Sequence, residues 1–187
     1  HPMHTPLKQF VAIATLSALE AMRQPICLLL ATFSVLFIGL LPLLVTHTLG
    51  ESGKLIRDSA LAVQFTLGLA FAAYAASLTI VEEIRRGTAS SILAKPVGRG
   101  IFLLAKGTGV YAVMVVYSVM TGLATIMSAR AASQQFDIDW WATTPLLLGV
   151  LLAYCAGAAV NYFTNRPFSS NGFGLLLFGV IGAFIFT

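Results

Sequence analysis

Apolar runs of about twenty residues, repeated along the chain with the charges gathered between them, constrain this sequence more than any other feature. A hydrocarbon layer roughly 30 Å thick is crossed by about 20 apolar residues in helical conformation. Lipid offers the backbone no hydrogen-bond partners, so a run of this kind satisfies its own amides as a helix. Residues 26–45, 59–81, 107–129, 145–163 and 172–187 fit that description. A chain of 187 residues that is 58% hydrophobic and 10% charged has too little charge to cover a soluble domain. The expected fold is all-α, a polytopic transmembrane helical bundle of one domain with five spans.

The punctuation between the runs supports that division. Residues 6–24 carry only Lys8, Glu20 and Arg23 as charges and are followed by Pro25, which marks a break before the first span. They read either as an N-terminal interfacial helix or as an extension of that span. Pro42 falls near the far end of the first span, where a lost backbone bond is tolerated or replaced. Polar loops are expected over 46–58, 130–144 and 164–171, the second holding Trp140 and Trp141 as an interfacial anchor. Cys27 and Cys155 lie in apolar stretches and read as small buried hydrophobes. His1 to His4 read as an added or processed end with Met3 as the natural start. The last run is still apolar at Thr187, so a longer protein with six spans is expected.

Lys and Arg set the orientation. Lys8, Arg23, Arg85, Arg86, Lys95, Arg99, Lys106 and Arg166 fall on one side, and Lys54, Arg57 and Arg130 on the other. The excess of cations marks the first side as cytosolic, which puts the N-terminus and residues 82–106 inside, in the inner or plasma membrane of the cell. The cations form no continuous basic stripe with interleaved aromatics, so nucleic acid is not an expected partner despite the net charge of +4.

Residues 82–106, EEIRRGTASSILAKPVGRGIFLLAK, concentrate charge and turn signals. Glu82 and Glu83 stand three and four residues from Arg85 and Arg86, the spacing of helix-surface ion pairs. Gly87 permits a turn, Thr88 can cap a short helix over 89–94, and Pro96 prevents its continuation. Arg99 and Lys106 then bracket the start of the third span, where lipid phosphates lie. The pattern of Glu83, Gly87, Thr88, Leu93, Pro96, Arg99 and Lys106 after the second span resembles that of the permease subunits of ABC-2 type ATP-binding cassette exporters. The resemblance extends to the N-terminal helix, the span order and the loop polarity. It implies a coupling helix that docks on a cytosolic ABC ATPase, and a working transporter of two permeases, identical or related, with two ATPases. By resemblance Glu83, Gly87, Thr88, Leu93, Pro96 and Arg99 form the ATPase-contacting site. Ser90, Ser91 and Gly98 depart from the family's usual residues.

No nucleotide site is expected in the chain itself. Gly107-Thr-Gly-Val-Tyr-Ala has the outline of a dinucleotide fingerprint but neither follows a strand nor opens a βαβ unit. The runs hold no Asp, Glu or clustered His, which argues against intramembrane catalysis, a metal site, a proton relay or a voltage sensor. ATP and Mg are therefore expected on the partner, with no cofactor bound here and no catalytic residue. At depth the sequence offers small and mildly polar residues in helical register. Tyr111, Ser118, Gly122 and Thr125 share a face of the third span, and Gly149, Ala153, Gly157 and Asn161 form a ladder on the fourth. Helix packing accounts for both. The sharper reading gives Tyr111, Ser118 and Thr125, with Thr66 and Ser77 on the second span, a place on a translocation path or a dimer interface. Three functions remain open: an export subunit, an ATPase-coupled scaffold that transmits force without cargo, and a channel or secondary carrier.

Overall fold

The computed structural model describes residues 6–45, 52–85, 99–132, 140–164 and 168–187, and among them every regular element is a helix. They are α1 (Pro6–Met22), α2 (Pro25–Leu44), α3 (Ser52–Arg85), α4 (Arg99–Ala131), α5 (Trp140–Thr164) and α6 (Ser169–Phe186). Four of them contain segments long and apolar enough to cross a membrane: Pro25–Leu44, Gly53–Thr79, Gly100–Ala131 and Thr143–Thr164. The fifth apolar run is helical too, but its Asn171–Phe186 stretch is shorter than those four.

The break at Pro25 falls where the sequence puts it. Gln24 is extended, at φ −74° and ψ 128°, because the following proline ring crowds the helical region. Pro25 itself opens α2, where its missing N–H costs nothing. Other expected boundaries move outward. α3, which holds the second apolar run, begins at Ser52, so 52–58 is helix where a loop is expected. α4, which holds the third, begins at Arg99, which takes the last residues of the expected 82–106 loop into the helix, and runs to Ala131. Trp140 and Trp141 belong to α5 and not to a loop. The reason is common to all three: a helix leaving the hydrocarbon can continue through the headgroup layer, where polar side chains and open helix ends are solvated.

Sorting of side chains is that of a protein solvated by lipid. Large apolar residues such as Phe33, Phe65, Leu103, Leu152 and Phe178 are exposed, while Ala31, Ser34, Ala60, Thr121 and Ser128 are buried. Helices in lipid gain little by hiding leucine and associate through close backbone approach and interhelical hydrogen bonds. α4 is the hub and touches each of the other five helices. Gly149 on α5 and Gly179 on α6 meet so closely that a Cβ on either would strike the other's carbonyl oxygen, with Ala153 and Ala183 flanking the crossing. Gly157, one step further on the expected ladder, receives the Phe168 ring, and Asn161 at its end is exposed. α1 seats on α4 in the same way, since a Cβ on Gly109 would lie 2.5 Å from the Ala14 carbonyl oxygen and 2.8 Å from Ser17 Cβ.

Hydroxyl groups fix α2 to its neighbours. Ser34 donates to the Leu30 carbonyl at 2.7 Å and Thr32 to the Leu28 carbonyl at 2.8 Å. Each hydroxyl has one proton, so the tyrosines must be the donors in the next bonds. Tyr117 of α4 donates to Ser34 Oγ at 2.9 Å and Tyr154 of α5 to Thr32 Oγ1 at 2.6 Å. Tyr117 also stacks on Phe71 of α3, centroids 5.0 Å apart, and Phe71 leans on Phe173 of α6 at 6.1 Å. A third bond repairs a defect. Pro42 has no N–H for the carbonyl of Ile38 one turn earlier, and Ser128 of α4 donates to that oxygen at 2.7 Å. Cys27 is buried as expected, but Cys155 is exposed on α5, because its face of the helix carries no partner among the described residues.

Candidate functional site

α3 and α4 pack along their length yet leave an open seam. Two cavities follow it, of about 530 Å³ and about 560 Å³, and Leu61 forms a wall of both. The inner one is lined by Gln64, Phe65, Gly68, Leu69 and Ala72 of α3 against Met114, Tyr117 and Ser118 of α4. The outer one runs past Gly122, Thr125 and Ile126 to Arg57 and Arg130. At 1.5 Å per residue the groove extends about 22 Å along α3, from a pair of guanidinium groups down to an apolar floor. A larger cavity of about 750 Å³ lies between α5 and α6, but apart from Thr144 its walls are apolar and it holds no charge.

Glycine shapes the seam. A Cβ on Gly68 would lie 3.3 Å from the Tyr117 ring, so glycine there lets the ring reach Phe71 and Ser34. Gly122 is different: a Cβ would meet nothing within 4 Å, which leaves the middle of the groove wide. Thr125 is buried and donates to the Thr121 carbonyl at 2.8 Å, so its methyl group is free to face the groove. Gln64 Oε1 is buried and has no hydrogen-bond partner. An unmet amide oxygen costs roughly 1–3 kcal/mol, which a donor entering the groove would recover.

Of the residues that the sequence marks for a path, Ser118 and Thr125 come together on the α4 wall, with Gly122 between them. Tyr111 lies on the same α4 face, exposed and beyond the lined stretch. Thr66 and Ser77 do not join them. Both are exposed on α3, each donating at 2.8 Å to a carbonyl one turn back, to Ala62 and Ala73, and neither is a wall of the groove. Gln64, Arg57 and Arg130 are not among the path residues that the sequence marks. Gln64 is a lone amide between apolar neighbours in the sequence, and the two arginines carry only a topological meaning there.

At the opposite end, Glu83 lies in the last turn of α3 and Arg99 opens α4. Gly87, Thr88, Leu93 and Pro96 lie outside the described residues. Lys106 ties α4 to α3 near this end. Its Nζ donates to the Thr79 carbonyl of α3 at 3.2 Å and stands 5.3 Å from the Phe102 ring centroid. No family model, curated protein or solved structure matches this chain.

Proposed function

We propose that the chain is the membrane-spanning subunit of an ATP-driven exporter of the ABC-2 type, lying in the inner or plasma membrane with its N-terminus in the cytosol. Cytosolic ABC ATPase subunits bind and hydrolyse ATP with Mg, and a second permease copy completes the transporter. In this reading α2 to α6 all cross the bilayer and α1 lies at the cytosolic headgroup layer. The observation that carries it is that α3 and α4, the two helices joined by the 86–98 segment, are also the two that wall the groove.

The physical case is one of leverage. α3 has 34 residues and α4 has 33, about 50 Å each at 1.5 Å per residue, whereas the hydrocarbon core needs about 30 Å. Part of the surplus, 82–85 of α3 and 99–106 of α4, stands outside the membrane as a helical base on either side of 86–98. A push on 86–98 reaches the groove through packed helices and is not lost in flexible loop. The Lys106 bond to the Thr79 carbonyl joins the two arms at the membrane edge, and α1 braces α4 at Gly109. Glu83 orients the segment, Gly87 and Thr88 set the turn, and Leu93 and Pro96 belong to the surface offered to the ATPase, with Arg99 holding the start of α4.

The test is gentle purification with mass spectrometry of what accompanies the chain, followed by ATPase assays of the complex. Hydrolysis that depends on the membrane subunit should collapse in Glu83→Ala and in Gly87→Pro. Unchanged coupling in both removes the assignment of the segment. Vesicles containing the complex should accumulate cargo on ATP addition; ATP turnover without transport selects the force-transmitting scaffold.

A further inference from the structure

The inner cavity of the α3–α4 seam holds two polar side chains with hydrogen-bonding capacity to spare. On these helices Thr66, Ser77, Thr121 and Thr125 each donate to a carbonyl of their own helix, the usual recourse of a hydroxyl within a helix. Among the described residues the Ser118 hydroxyl of α4 makes no such bond, and neither does the Gln64 amide of α3. Gln64 Oε1 is buried, yet the amide turns about a soft final bond, so that oxygen can meet a donor that enters. Both residues line the same cavity of about 530 Å³, well inside the apolar segments Gly53–Thr79 and Gly100–Ala131. The other lining side chains are apolar except Tyr117, whose hydroxyl already donates to Ser34, and among the described residues none is charged.

Depth and chemistry together select the occupant. A charge drawn from the headgroup layer to this depth loses its hydration, and nothing in the lining offsets that loss. A pure hydrocarbon leaves both polar groups unmet. A hydroxyl answers both, since it donates one proton and accepts at its oxygen. We propose that the inner cavity binds an uncharged lipophile with a hydroxyl on a hydrocarbon body, which enters sideways from the bilayer. The ligand hydroxyl donates to Gln64 Oε1 and accepts from Ser118 Oγ, while the body lies along Leu61, Phe65, Leu69 and Met114. Leu61, Phe65 and Leu69 are themselves exposed, so the mouth of the cavity faces lipid. The site goes beyond the exporter reading, since it needs α3 and α4 in a bilayer but no ATPase.

Photolabelling of the purified full chain in phosphatidylcholine vesicles tests it, with a diazirine-bearing hexadecanol as probe and peptide mass spectrometry to place the labels. Labels should concentrate on the lining stretches 61–72 and 114–118. Unlabelled hexadecanol should displace them at about tenfold lower concentration than hexadecane or hexadecyl phosphate. Gln64→Leu keeps most of the volume and removes the amide, and it should lower labelling severalfold, as should Ser118→Ala. Thr66→Ala, whose hydroxyl lies outside the lining, should label as the parent does. Because Gln64→Leu removes an unmet polar group, it should unfold at no lower temperature than the parent without ligand. A lower unfolding temperature shows that the amide is already bonded and overturns the proposal. Displacement by hexadecane as strong as by hexadecanol reduces the cavity to ordinary lipid solvation and overturns it, and equally strong displacement by hexadecyl phosphate does the same for an uncharged occupant. Labelling like the parent's in both Gln64→Leu and Ser118→Ala, or an equal loss in Thr66→Ala, overturns it too.

Discussion

Ser128 and Pro42 illustrate what a single residue does in this bundle. Pro42 leaves the Ile38 carbonyl without its backbone partner, and the Ser128 hydroxyl fills the gap from the neighbouring helix. Removing that hydroxyl strands a buried acceptor where water is scarce, so Ser128→Ala should lower stability by about 1–2 kcal/mol. In a Pro42→Ala background the restored N–H serves Ile38, and the same substitution should cost about half as much or less. A double-mutant cycle by denaturation in detergent measures the difference; equal costs in both backgrounds would show that the bond is incidental. Pro42 is plain in the sequence, but Ser128 stands 86 positions away and nothing local pairs the two. Gln64 was hidden for another reason. A neutral amide draws no notice until its surroundings show that its oxygen has no partner.

At the scale of the helix, small residues decide where elements touch. The ladder on α5 was legible from its spacing of four, and Gly149 and Ala153 indeed face the α6 crossing while Asn161 does not take part. Identity of the partner face was not legible, because Gly174, Gly179 and Gly182 of α6 look alike in sequence and only Gly179 meets a backbone. Gly179→Val should therefore separate α5 from α6 and destabilise by about 1–3 kcal/mol through overpacking. Gly122→Ala, in open space within a helix, should do the opposite and stabilise by about 0.5–1 kcal/mol. Thermal unfolding in one detergent compares them, and a similar loss in both would contradict the distinction. Helix ends were the less readable part. Hydropathy registers where a helix leaves hydrocarbon, whereas α3 and α4 continue past that limit to Arg85 and back to Arg99.

At the scale of the whole molecule, the apolar runs in the sequence foretold the all-helical fold of the described residues and its several membrane-length helices. They did not reveal that α4 is the hub, or that the groove opens between α3 and α4, since both depend on which faces meet. The proposed function joins two ends of one helical pair, the 86–98 segment on which the ATPase would act and the groove between α3 and α4. Its central claim is that the first end docks on a cytosolic ATPase. A photoreactive amino acid at position 93 in cells tests this most directly, with position 54, at the other end of α3, as control. The account predicts a crosslink from position 93 to a nucleotide-binding ATPase and none from position 54. Crosslinking to an ATPase from position 54 alone, or from neither position, would contradict it.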